Sequence, residues 1–382
     1  MFDLTDTQQM IRATVREFAQ RELAPRARHV DESGEFPKES FRKMAELGLM
    51  GIPFPEEYGG AGGDTLSFAI AIEEISRVCG STALGLAAHT SLGTMPIWLF
   101  GSEELKRKYV PPNARGETIG AYGLTEPGAG SDSSGTATTA TKVPGGWRIS
   151  GSKMFMTNAS VSHVMTVTAV TDKDADKHSR ISAFVLDSTW KGITVAKKED
   201  KLGVRGSDTC YVTFEDVSVP DSHLLGERGR GWEYFMKILD NGRIGIGAMA
   251  LGLAEGAYER ALAYSRERKA FGKPIAAHQA VAFMLADMAV GIEAARHLVY
   301  AAARLKDAGR PFKKEAAMAK LFASEHAMRT TRDAIQVLGG YGYLNEYEVE
   351  RYYRDAKLCT IGEGTSEIQR IVISKEVIGK LG

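Results

Sequence analysis

A single carboxylate stands between two glycines in Ile361-Gly362-Glu363-Gly364-Thr365-Ser366-Glu367-Ile368-Gln369-Arg370. Glycines on either side let the backbone approach a ligand closely, and Thr365 is placed to cap a helix whose N-terminus suits an anion. Such an acid could take a proton from a bound substrate. The same spacing also describes a turn carrying a solvated glutamate. A second stretch, Tyr122-Gly123-Leu124-Thr125-Glu126-Pro127-Gly128-Ala129-Gly130-Ser131-Asp132, makes a tight loop with free N–H groups. It could cradle a phosphate or the polar edge of a ring, or be a plain surface turn. In Arg266-Glu267-Arg268-Lys269-Ala270-Phe271-Gly272-Lys273-Pro274, positive charge gathers where a helix ends. That charge complements a helix dipole or clamps a diphosphate. Gln336-Val337-Leu338-Gly339-Gly340-Tyr341-Gly342 reads as a glycine C-cap.

Several chemistries lack support. No G-x-G-x-x-G opens a helix after a strand, and there is no P-loop, no H-E-x-x-H and no G-x-S-x-G elbow. No metal site is expected. Lys plus Arg and Asp plus Glu balance at 48 each, so neither nucleic acid nor an anionic membrane is expected as a partner. Cys79, Cys210 and Cys359 are few and far apart, which favours a reducing compartment. The N-terminal residues lack a signal-peptide pattern, and no apolar run reaches the roughly 18 residues of a membrane span. The expected location is the cytoplasm.

The elements that must position these segments fall into three runs. Residues 1–118 read as a helical domain. Thr5 and Gln8 have capping-box spacing ahead of Ile11, Val15 and Phe18, Pro37 suits a first helical position, and Asp64 suits an N-cap. Residues 119–226 read as a β domain of sandwich or barrel type. There Val164–Val170 alternates, Ile181–Leu186 and Tyr211–Phe214 are β-rich, and Gly145-Gly146 marks a turn. Residues 227–382 return to helical periodicity, with seams Leu285, Met288, Ile292, Ala295 and Ala317, Leu321, Ser324, Met328 that predict a four-helix-bundle-like domain. The fold class is α+β multidomain, with helices, strands and helices in separate layers.

Taken in order, these segments resemble the acyl-CoA dehydrogenase family, over nearly the whole chain. Lys153-Met154-Phe155-Met156-Thr157-Asn158, Lys201–Ser207 and Leu239–Ile246 add to the match. The resemblance implies non-covalent FAD. Tyr122, Leu124, Thr125, Gly130 and Ser131 would line the flavin and its phosphates, with Phe155, Met156 and Thr157 flanking the ring. Arg268, Phe271 and Gln279 would reach the FAD of a neighbouring subunit, as would Gln336, Gly339 and Gly340, while Thr365 and Glu367 touch it near the acid. Ser131, Asp240, Arg243 and Gly364 would contact substrate. Such sharing implies a homotetramer built as a dimer of dimers.

The resemblance also makes Glu363 the base that removes the α proton of an acyl-CoA thioester. The enolate would be stabilised by the base residue's own N–H and a ribityl hydroxyl, and the β hydrogen would leave as hydride to flavin N5. The product would be a trans-2-enoyl-CoA, and the electrons would pass to electron-transfer flavoprotein. Fatty acid β-oxidation and branched-chain amino acid catabolism are the pathways implied. In branches such as isovaleryl-CoA dehydrogenase the base lies where this chain has Gly242, which leaves Glu363 for the role. Leu239–Ile246, with Lys198–Gly203 and Phe214–Asp216, looks closest to short-chain and short branched-chain members, with Met249 either near the acyl tail or in ordinary helix packing. Gly362 replaces a frequent tyrosine, and Phe155 a common tryptophan, losing an indole donor. Rival expectations are an acyl-CoA oxidase, whose large members carry a further C-terminal domain, and a DNA-binding or scaffold relative, which would show excess basic charge.

Overall fold

In a computed structural model, residues 3–379 are described. The first helix, Asp6–Phe18, begins with a complete capping box: Gln8 N–H donates to Thr5 Oγ1, and Thr5 N–H donates to Gln8 Oε1. Val15 and Phe18 are buried and Ile11 packs against them, as the helical spacing requires. Asp64 caps Thr65–Ser76 by accepting the Ser67 N–H. Pro37 departs from expectation. It is the N-cap of Lys38–Glu46, with ψ 65°, and not the first helical residue. The segment after Gly80–Ala87 widens into a π-helix, Ala88–Thr94, before Met95–Phe100 and Glu103–Ala114.

Eight strands follow: β1 Gly120–Gly123, β2 Thr139–Val143, β3 Gly146–Thr157, β4 Val164–Val170, β5 Ile181–Asp187, β6 Ile193–Val195, β7 Thr209–Pro220 and β8 Leu224–Leu225. They form one sheet in the order β6-β7-β3-β2-β4-β5-β8, with β1 parallel to β4. Gly145, at φ 76°, makes the β2–β3 turn with the backbone that glycine favours. Val212 on β7 and Phe184 on β5 share one core although three strands separate them in the order, so the sheet folds over on itself.

All seven residues of β4 are buried, so its alternation does not separate core from solvent. Met165, Val167 and Ala169 enter the sheet's own core, whereas Val164 on the opposite face joins a second cluster with Leu124 and, from the helical side, Phe54, Val110 and Phe235. Both faces are covered, which is why this strand is apolar throughout except for Thr166 and Thr168.

The C-terminal region is built on Gly231–Glu267, Gln279–Asp307 and Lys313–Leu338, with Val349–Cys359 and Ser366–Ile378 packed on them. Val15 and Ile70 from the first helical run share a core with Met249, Ile292, Ala323 and Tyr352. The two helical regions therefore bury one continuous apolar interior, and the β-sheet packs against it through the second cluster.

Candidate active site

Glu363 lies in the turn between Val349–Cys359 and Ser366–Ile378. Its φ is 54° and that of Gly364 is 92°, so two consecutive residues are left-handed. For a glutamate this conformation costs on the order of 1 kcal/mol or more and persists only where the surroundings enforce it. The surroundings are on hand: Lys320 Nζ donates to Gly364 O at 2.7 Å, and Gln369 Nε2 donates to Gly364 O at 2.8 Å and to Glu363 O at 3.2 Å. Thr365 caps the following helix through the Ile368 N–H, and Ser324 Oγ donates to Cys359 O at the turn's entry.

The Glu363 side chain points at the helix Gly231–Glu267, where Gly242 leaves room for it. A Cβ added at Gly242 would stand 2.7 Å from Glu363 Cδ and overlap Oε2 outright. Oε2 is buried and has no hydrogen-bond partner. Burial pushes the carboxyl up to about 7, against the pull of Lys320 and Arg243. An acid held near neutrality, with one oxygen free, is poised to accept a proton from a weak carbon acid.

Tyr122 brings the β domain to this acid. Its ring stacks on Phe235 at 4.3 Å and its hydroxyl donates to Phe235 O. Burial first, and the Glu363 charge second, raise the phenol well above its ordinary value. Arg243 is nearly buried one residue beyond Gly242 and pairs with Asp240 one turn earlier. Burial lowers the Arg243 pKa and raises that of Asp240. Met249 is wholly buried among the core helices, consistent with ordinary helix packing.

The predicted flavin segments meet at the lip of the sheet. Met154 N–H donates to Thr125 O at 2.7 Å, joining the loop after β1 to the end of β3. β3 carries an irregularity there: the register jumps from Lys153↔Val212 to Met156↔Cys210, and Phe155 has φ 53°. The bulge turns the Phe155 ring outward, leaving it 60% exposed, while Met156 stays buried and Thr157 half-buried. Leu124 is buried, Thr125 half-buried, and Gly130 and Ser131 are exposed. Glu126 and Ala129 exchange both backbone hydrogen bonds, closing the tight turn the sequence suggests. An outward-facing aromatic ring beside this turn, with an unpartnered acid behind Tyr122, fits a planar ring cofactor lying along this lip.

Arg268, Phe271, Gln279, Gln336, Gly339 and Gly340 form a separate group on the surface of the C-terminal helices. The Arg268 guanidinium lies 5.6 Å from the Tyr341 ring centre, which joins the 268–279 and 336–343 segments. Ala270 O accepts from His278 Nε2, next to Gln279, and Phe271 is 96% exposed. Thr365 is the helix cap already described, and Glu367 is exposed beside it, lowered by its own backbone N–H and by the Thr365 hydroxyl.

Four side chains that organise the site were not singled out from sequence. Lys153 is wholly buried and donates to Glu126 Oε1 at 2.7 Å, Leu124 O at 3.3 Å and Thr168 Oγ1 at 3.0 Å. Glu126 in turn accepts the Ala137 and Thr138 N–H groups. Lys320 and Gln369 hold the Glu363 turn. The available signal was a charge on an apolar seam: Lys320 stands beside Ala317 and Leu321, and one turn before Ser324. Among the described residues, no group of three or more His, Cys, Asp or Glu could hold a metal ion.

Three family profiles match the chain. The N-terminal domain of acyl-CoA dehydrogenases matches residues 5–117, the middle domain 121–217 and the C-terminal domain 229–378. The short-chain specific acyl-CoA dehydrogenase of Clostridium acetobutylicum is 50% identical over 98% of this chain and 99% of its own. The butyryl-CoA dehydrogenase structure from Megasphaera elsdenii superposes with a TM-score of 0.97 at 45% identity, covering 99% of this chain and 100% of the other. A chain from a structural study of the electron transferring flavoprotein of Acidaminococcus fermentans gives 0.98 at 47% identity, covering 100% of both. With all three segments matched and the likeness running from end to end, the chain belongs to the acyl-CoA dehydrogenase family.

Proposed function

We propose that this protein is an FAD-dependent dehydrogenase of short acyl-CoA thioesters, with Glu363 as the base that removes the α proton. The observation that carries the reading is the Glu363 carboxylate itself: buried, with Oε2 unpartnered, seated on Gly242 and held near neutrality. A thioester lying between this oxygen and the lip formed by Tyr122–Thr125 and Phe155–Thr157 presents its α carbon to the acid. The Glu363 N–H, oriented by the same left-handed turn, donates to the thioester carbonyl and stabilises the enolate as it forms. FAD held along this lip by Tyr122–Thr125 and Phe155–Thr157 would supply the acceptor for the β hydrogen, and the product would be a trans-2-enoyl-CoA. Binding of the acyl group expels water, which strengthens the base further.

The remaining assignments follow the family pattern. Tyr122, Leu124, Thr125, Gly130, Ser131, Phe155, Met156, Thr157, Thr365 and Glu367 would hold the cofactor of their own subunit. Arg268, Phe271, Gln279, Gln336, Gly339 and Gly340 would reach the cofactor of a neighbour. Their exposure, together with that of Phe283, Val290 and Tyr343 on the same helical region, supports a homotetramer built as a dimer of dimers. Ser131, Asp240, Arg243 and Gly364 would contact the substrate. Residues 1–118, 119–226 and 227–382 are the units we assign, electron-transfer flavoprotein the acceptor, and the cytoplasm the location. Among the described residues, no helix is long and apolar enough to cross a membrane.

The test is an anaerobic titration of the flavin-loaded protein with butyryl-, isobutyryl-, 2-methylbutyryl- and octanoyl-CoA. Bleaching of the flavin is expected, most completely with a short chain. Glu363→Gln should stay yellow and fail to bleach; fast bleaching by that variant would place the base elsewhere.

A further inference from the structure

Lys320 is one of the largest wholly buried side chains, at 0% exposure on the helix Lys313–Leu338. Burying an ammonium group is costly unless it is paired or does something specific. Among the described residues, its one hydrogen-bond acceptor is Gly364 O, a neutral carbonyl. We propose that Lys320 is a positioning residue for the base, holding the left-handed Glu363–Gly364 backbone and, with Arg243, supplying positive charge near the Glu363 carboxylate. This inference rests on the reading of Glu363 as the base.

Two observations carry it. First, Gly364 O accepts from both Lys320 Nζ and Gln369 Nε2, and Gln369 also binds Glu363 O. The peptide groups following two left-handed residues are thus pinned by two buried side chains, from two different helices. The backbone at Glu363 sets both the aim of the carboxylate and the aim of its N–H, and the proposed reaction uses both. Second, the hydrogen bond to Gly364 O seats the ammonium group beside the residue next to Glu363, and the other groups around the turn leave Glu363 as the anion near it. Cys359 on the preceding helix is pushed up to about 12 by burial and stays a neutral thiol. Arg243 on the helix Gly231–Glu267 is paired with Asp240. Tyr122 on β1 is a neutral phenol, and Glu367 on the following helix is exposed. Glu325 on the lysine's own helix acts on Lys320 more weakly than Glu363 does. Burial brings the ammonium down to about 8, so it is charged where the base ionises near 7.

Three variants of the flavin-loaded enzyme separate the two roles. Lys320→Gln keeps a donor for Gly364 O and loses the charge; Lys320→Arg keeps the charge; Lys320→Met loses both. The readout is the single-turnover rate of flavin bleaching by butyryl-CoA across pH. In Lys320→Met the acid limb should move up by about 1 pH unit or more, and the high-pH plateau should fall about 10–100-fold. Lys320→Gln should share the displaced limb with a higher plateau than Lys320→Met. Lys320→Arg should keep the limb of the parent. A parent-like limb and plateau in Lys320→Met overturns the proposal. If Lys320→Met does not fold or retain flavin, coincident limbs for Lys320→Gln and the parent overturn it instead. Glu363→Gln run alongside keeps the readings apart. Fast bleaching there removes the base assignment, whereas a silent Glu363→Gln beside a parent-like Lys320→Met removes only the role of Lys320.

Discussion

Gly242→Ala should silence the enzyme while leaving its fold intact. Gly242 lies in the interior of a 37-residue helix, where alanine is favoured over glycine by about 1 kcal/mol. The added methyl would stand 2.7 Å from Glu363 Cδ and overlap Oε2. An ordinary carbon–carbon contact begins near 3.5 Å, so the carboxyl group must retreat by about 1 Å. The obstacle is the far end of one flexible side chain, so the retreat is cheap for the fold. It is costly for the reaction, because a 1 Å misplacement of a reacting group is worth about 100-fold in rate. We therefore expect the bleaching rate with saturating butyryl-CoA to fall at least about 100-fold by anaerobic stopped flow. The flavin content should be unchanged and the melting temperature equal to or above that of the parent. A folded, yellow Gly242→Ala that bleaches at the parental rate would refute the contact between Gly242 and the acid as the determinant of its position.

Two further outcomes follow from buried charge. Glu363 sits at about 7 in the folded chain against an ordinary 4.5, so the folded state holds a proton that the unfolded chain has released across that window. Stability is lost as pH rises from about 4.5 to 7, and Glu363→Gln should be more stable than the parent by about 3 kcal/mol at pH 8 and no different well below pH 4.5. Denaturant melts of the ligand-free protein at the two pH values check this; the same difference at both would contradict it. Lys153→Met strands the Glu126 carboxylate without its partner and should cost about 3–5 kcal/mol, with Glu126→Gln in the same chain restoring part of the loss. A single variant within about 1 kcal/mol of the parent would mean that water reaches this pair.

The amino-acid order determined a great deal here because much of the signal is local. The capping box at Thr5–Gln8, the turn at Gly145-Gly146, the seams of Gln279–Asp307 and Lys313–Leu338, and the acid between two glycines are each set by residues a few positions apart. The resemblance added an expectation of its own: where branches such as isovaleryl-CoA dehydrogenase carry the base this chain has Gly242, which left Glu363 as the expected base. What stayed hidden depends on long-range packing. β4 reads as alternating, yet it is buried on both faces because helices far away in the chain cover the second one. Pro37 has a φ that suits either a cap or a first helical turn, and its surroundings chose the cap. Lys320 is 43 residues from the acid whose turn it holds, and Gly242 is 121 residues from that acid. No pattern within one helix reveals which distant carbonyl an inward-pointing lysine meets, or that a missing methyl makes room for a carboxylate. Those relations exist only once the helices have packed, since burial and the loss of water are what turn a glutamate in a glycine turn into an acid with a pKa near neutrality.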